Sequence, residues 1–145
     1  MVLRLTLVPD SAARRRMLAG WLKEGSPVAL QATLLALTQP NLREDARAAA
    51  TAHPPDAVQL LSHFNDAHVE YRFAAAALLG ANCAPDRCRM LEQMVRQNNH
   101  RREALAALLC CSDTEAGKFI AGLRSNRSLD AQLRYAHDRV ARLCS

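Results

Sequence analysis

Tyr71-Arg72-Phe73-Ala74-Ala75-Ala76-Ala77-Leu78-Leu79-Gly80 decides the fold. From Phe73 to Leu79 no polar side chain interrupts two helical turns, so a helix here presents apolar surface in every direction and must be covered on several sides. Four consecutive Ala favour the helix and keep it slim enough for close neighbours. A helix in the middle of a stack meets both demands.

An Arg ahead of an Ala-rich run recurs in Leu42-Arg43-Glu44-Asp45-Ala46, Arg101-Arg102-Glu103-Ala104-Leu105 and Leu133-Arg134-Tyr135-Ala136. Aligned on Arg43, Arg72, Arg102 and Arg134, the copies follow one another at a nearly constant step, and Ala13-Arg14 lies one such step before the first. A period of about thirty marks a repeat architecture. Pro9-Asp10, Gly25-Ser26-Pro27, Pro40-Asn41, Pro54-Pro55-Asp56, Asn65-Asp66, Pro85-Asp86, Asn98-Asn99, Ser112-Asp113 and Ser125-Asn126 supply turn and helix N-cap signals between segments of helical periodicity. They predict nine helices, near 10–24, 27–38, 41–52, 55–64, 68–81, 85–97, 100–111, 113–124 and 128–144. Val2 to Val8 alternate like a strand without a partner, and residues 1–9 are expected as an extended arm packed on the first helix.

The segment from Tyr71 to Gly80 resembles the second helix of a HEAT repeat, in particular the short variety of bilin lyases: an apolar residue, Arg, two variable positions, Ala-Ala, one variable, Ala, Leu, Gly. Leu78 stands where the third Ala belongs, Arg47 replaces an Ala in residues 42–51, and residues 132–142 keep little beyond the Leu-Arg start. The resemblance implies a single all-α domain over 1–145, a right-handed α-solenoid of about nine antiparallel helices of the HEAT/ARM type. A TPR array is disfavoured by the period and by the absence of its Trp, Gly, Tyr and Pro spacing. Stacking explains the composition, because each helix pair has two apolar sides and is stable only between neighbours.

The 145 residues allow one domain, with half the residues apolar but six aromatic, and 27 Ala and 22 Leu among them. Five Gly and six Pro are too few for a barrel or sandwich. The apolar stretch Val2 to Val8, with Arg4 inside it, is too short for a transmembrane span or a signal-peptide core, so a cytoplasmic protein is expected. Cys83, Cys88, Cys110, Cys111 and Cys144 lack CxxC pairs and read as small buried thiols in a reducing compartment. Cys83 and Cys88 with His63 and His68 would need a loop geometry that the sequence does not otherwise support, so neither a metal nor a cofactor is expected.

The net charge of +5 is uneven: residues 1–86 carry eight Lys/Arg and eight Asp/Glu, residues 87–145 eleven and six. Two groups of residues are candidates for binding. The recurring Arg43, Arg72, Arg102 and Arg134 are first explained by the periodic scaffold; the resemblance implies that such an Arg bonds a carboxylate or carbonyl of an adjacent turn, and the alternative is a concave ladder for an acidic partner. Of the adjacent Arg101 and Arg102, a third of a turn apart, one should be free. Tyr71 beside Arg72 has the hot-spot composition. A second group, Arg96, His100, Arg101, Arg124 and Arg127 with Arg134, would form one cationic edge if successive turns line up, suited to phosphates but without a base-stacking platform.

Catalytic residues are not expected. The sequence contains no nucleophile elbow, phosphate loop or metal-binding helix motif, and His53, His63, His68, His100 and His137 lie near helix ends or charges. The reading is a protein–protein interaction module, an adaptor, regulatory or immunity-type protein with an acidic partner. Nucleic-acid binding through the Arg-rich edge is the first alternative, and a lyase or glycosylase-type HEAT-like enzyme the second, although both such enzymes are larger and no catalytic residue carries over.

Overall fold

The computed structural model describes residues 2–144, with side chains from Arg4 onward. The described residues form helices α1 (Val2–Thr6), α2 (Ser11–Glu24), α3 (Pro27–Thr38), α4 (Arg43–Ala52), α5 (Ala57–Ser62), α6 (Val69–Ala81), α7 (Pro85–Arg96), α8 (Arg101–Cys110), α9 (Thr114–Leu123) and α10 (Arg127–Cys144), with a 3₁₀ turn at His63–Asn65. The described residues are all-α, and none of their helices is long and apolar enough to cross a membrane.

The turn chemistry acts as the sequence suggests. Asp10, Asp56 and Asp113 each accept the backbone N–H two residues on, at 3.1, 3.3 and 2.7 Å, and so cap α2, α5 and α9. Ser26 caps α3 ahead of Pro27, accepting from the Ala29 N–H at 3.1 Å. Gly25 closes α2 at φ 75°, a left-handed conformation that costs glycine little.

The extended arm is replaced by the short helix α1. A lone strand leaves its backbone groups without partners, whereas a helical turn satisfies them locally. Here the Leu7 and Val8 N–H groups donate to Arg4 and Leu5 carbonyls at 3.2 and 3.1 Å. The turn also buries Leu5 fully as α1 packs on α3.

The even-numbered helices pack in succession, α2 on α4, α4 on α6, α6 on α8 and α8 on α10, and α3, α5, α7 and α9 pack against them. α6 lies at the centre, touched by α3, α4, α5, α8 and α10, and its residues Phe73 to Gly80 are all buried. That environment accounts for the apolar run. α10 reaches back across both α8 and α6, inserting Leu133, Ala136, Val140 and Leu143 into the common core.

Candidate interaction surface

Arg14, Arg43, Arg72 and Arg101, evenly spaced along the chain, repeat one interaction. Arg14 donates to the Val8 carbonyl at 2.8 Å, Arg43 to Leu37 at 3.0 Å, Arg72 to Asp66 at 2.5 Å and Arg101 to Val95 at 2.7 Å, in every case the carbonyl six residues upstream. Each guanidinium thus holds the turn before its own helix. The alignment on Arg102 is corrected by this register: Arg101 belongs to the series and Arg102 is exposed beside it. Arg134 also falls outside it. The next equal step lands on Asp130, to which Arg134 is bonded at 3.0 Å.

A second recurrence joins neighbouring turns of the fold. Arg14 pairs with Asp45 at 2.7 Å and Arg72 with Glu103 at 3.9 Å, each arginine reaching an acid at the same position of the following copy. These acids are the two buried charged side chains among the described residues. Asp45 also accepts from Ser11 at 2.5 Å and Arg15 at 2.9 Å. Burial by itself would push its carboxyl upward, but the bonds from Ser11, Arg14 and Arg15 outweigh it and hold the group below its ordinary value.

Tyr71 is half-buried, edge-on to His68 at 5.7 Å. A different tyrosine has arginine neighbours on its ring. Tyr135 of α10 has the guanidinium of Arg102 from α8 over its ring at 4.7 Å and that of Arg139 at 5.2 Å, with Phe73 of α6 edge-on at 5.9 Å. Tyr135 and Arg139 are four apart and share a helix face, but Arg102 joins them only through the packing of α8 on α10. Arg139 also borders a small hollow with Val69, Glu70, Phe73 and Leu143. Leu143 continues into a cleft of about 400 Å³ between α4, α6 and α10, edged by Arg15, Glu44, Arg47, Thr51 and Asn82 and floored by Ala77 and Ala81. Small alanines leave this room, and α10 forms one wall.

The expected cationic edge is divided. Arg124, Arg127 and Arg134 do meet around one hollow with Ser125, but Asp130 stands among them, 3.8 Å from Arg124 and 3.0 Å from Arg134. Arg96 instead covers the Phe119 ring at 5.1 Å, and Arg101 is spent on Val95. His100, at φ 46°, precedes α8 and meets Phe64 edge-on.

The reading of five unpaired thiols is corrected as well. Cys83 is joined to Cys88 and Cys110 to Cys144, the second pair because α8 packs on α10, a proximity that linear spacing does not display. Cys111 is free, and its thiol is raised above the ordinary value chiefly by burial. Its sulfur lies 3.1 Å from that of Cys88. Among the described residues, the group of three ligand atoms that lie within 4.8 Å of one another is the sulfurs of Cys83, Cys88 and Cys111, without His63 or His68. His63 faces Asp66 at 3.5 Å instead.

No family model, curated protein or solved structure matches this chain.

Proposed function

We propose that the chain is a protein-binding module, built as a right-handed HEAT-like solenoid, that takes an acidic segment of a partner protein along the cleft between α4, α6 and α10. The observation that carries this reading is the Tyr135 ring with the guanidinium groups of Arg102 and Arg139 over it, Arg139 also bordering a hollow that shares Leu143 with the cleft edged by Arg15, Glu44 and Arg47. Tyr and Arg supply large contact area and planar donors for carboxylates, the combination enriched where interfaces concentrate their energy. The even recurrence of Arg14, Arg43, Arg72 and Arg101 supports the repeat reading, since a solenoid repeats its internal bonds with its helices. Arg43, Arg72 and Arg101 then shape the face by fixing its turns, while Arg102 and Arg139 meet the partner. A cytoplasmic site of action, which belongs to the same reading, requires Cys83–Cys88 and Cys110–Cys144 to be open dithiols there, because thiol buffers keep such pairs reduced.

Titration of the isotope-labelled protein with acidic helical peptides tests the proposal by NMR. Shifts should concentrate on α10 around Tyr135 and on Arg102, and Tyr135→Ala should weaken binding by about 2 kcal/mol. Absence of binding at millimolar peptide, or equal affinity of wild type and Tyr135→Ala, rejects it.

The gathering of Arg124, Arg127 and Arg134 around one hollow favours nucleic acid as the second reading. It requires affinity for duplex DNA to fall with salt, by about 0.9 in logarithmic slope per phosphate neutralised, and Arg124→Ala with Arg127→Ala to flatten the slope by about two such contacts. Asp130 among these cations counts against it.

A further inference from the structure

We propose that Cys83, Cys88 and Cys111 form a three-thiolate site for one soft, filled-shell metal ion of the zinc, cadmium or copper(I) kind, assembled when the Cys83–Cys88 disulfide is reduced. The three sulfurs lie within 4.8 Å of one another, although they come from two separate parts of the fold. Cys83 and Cys88 flank the start of α7, where Pro85 occupies the first turn and Arg87 donates to the Asn82 carbonyl at 2.7 Å. Cys111 follows the end of α8, its N–H bonded to the Leu108 carbonyl at 3.1 Å. Backbone bonds and the packing of α7 on α8 therefore hold all three positions, and opening the sulfur–sulfur bond leaves them together.

The chemistry of the donors selects the ion. Thiolates are soft ligands that favour zinc, cadmium and copper(I) over magnesium or calcium. Cys88 is buried and Cys83 and Cys111 are half-buried, so an ion held by all three would keep contact with solvent. A three-coordinate ion suits this arrangement, as does a tetrahedral one completed by water. The Cys110–Cys144 bond differs in kind, closing a sequence separation of 34 between α8 and the end of α10, whereas Cys83–Cys88 closes one of 5. The shorter span gains least as a covalent staple.

The steps balance with a small dithiol as reductant. Its two electrons and two protons convert the Cys83–Cys88 disulfide into two thiols while the dithiol closes to its own disulfide. Metal binding then displaces one proton from each of the three thiols.

Reduced, folded protein is titrated with cadmium(II) under anaerobic conditions, and thiolate-to-cadmium absorption is followed in the ultraviolet. One equivalent should bind, and Cys111→Ser should weaken it by at least about tenfold, the loss of a direct ligand exceeding what outer-shell changes cost. Failure of the reduced protein to bind, or equal binding by Cys111→Ser, overturns the proposal. Alkylation of cadmium-loaded wild type followed by mass spectrometry needs no variant. Protection of Cys83, Cys88 and Cys111 with Cys110 and Cys144 labelled is expected; protection confined to Cys83 and Cys88, or shared with Cys110 and Cys144, refutes it.

Discussion

Gly80 of α6 lies directly against the backbone of Ala107 in α8. A Cβ at position 80 would overlap the Ala107 carbonyl oxygen and stand 2.8 Å from the Cys110 Cβ. The contact is with backbone, which no rotamer change relieves, so α6 and α8 would have to separate along their shared face. Gly80→Ala should therefore destabilise by about 3 kcal/mol, at the upper end of overpacking, despite the better helix propensity of Ala. Urea denaturation followed by circular dichroism measures it; a variant as stable as wild type would mean that the two helices are not this close.

The adjacent arginines should separate stability from binding. Arg101→Ala removes the bond to Val95 that fixes the turn before α8 and should cost about 1 kcal/mol, the worth of a typical hydrogen bond. Exposed Arg102 should tolerate Ala to within about 0.5 kcal/mol. Its loss should appear in peptide affinity instead, because it faces Tyr135. Thermal melts and NMR titrations of the two variants give the comparison, and the opposite pattern would restore the alignment on Arg102.

Acid should weaken the fold through Asp45. Its carboxyl is held below the ordinary value, so the folded state keeps it ionised while the unfolded chain takes up a proton near pH 3.9. The stabilisation is present in full above that pH and is lost as pH falls through the lower folded value. Asp45→Asn should cost about 2 kcal/mol at neutral pH, from weaker pairing of Arg14 and Ser11, and should flatten the acid limb of the stability curve. Denaturant midpoints between pH 3 and 7 show whether both effects occur.

The Cys110–Cys144 bond ties the end of α10 to α8. Cys110→Ser with Cys144→Ser should lower stability under oxidising conditions by about 4 kcal/mol, as expected for a loop of this length. Under reducing conditions wild type, whose Cys83–Cys88 bond opens too, should lose at least that amount. Comparison of melts with and without reductant checks the pair, and a midpoint indifferent to reductant would show that the bond does not contribute.

Cys111 should be a slow nucleophile. Burial holds its thiol above the ordinary value, so little thiolate exists at neutral pH. Alkylation of oxidised, folded protein at Cys111 should be slower than in denaturant and should accelerate as pH rises. Mass-resolved labelling rates give both comparisons.

Much of this molecule is legible along the chain, because helices and their ends are local events. Asp10, Ser26, Asp56 and Asp113 act on N–H groups two or three residues away, and the all-apolar run from Phe73 to Leu79 states that its helix is enclosed. The period is local in the same sense, since each copy repeats one short step from an Arg back to the carbonyl of the preceding turn. What spacing leaves open is which of two adjacent arginines turns inward; the position of the Val95 carbonyl decides that for Arg101. Tertiary packing alone brings Arg102 of α8 over Tyr135 of α10, and Cys111 beside Cys83 and Cys88. These partners come from different helices or from the turns beside them, well separated along the chain. At such separations the distance between side chains is set by how the helices pack, which depends on volumes summed over the whole core and on no pattern within one segment.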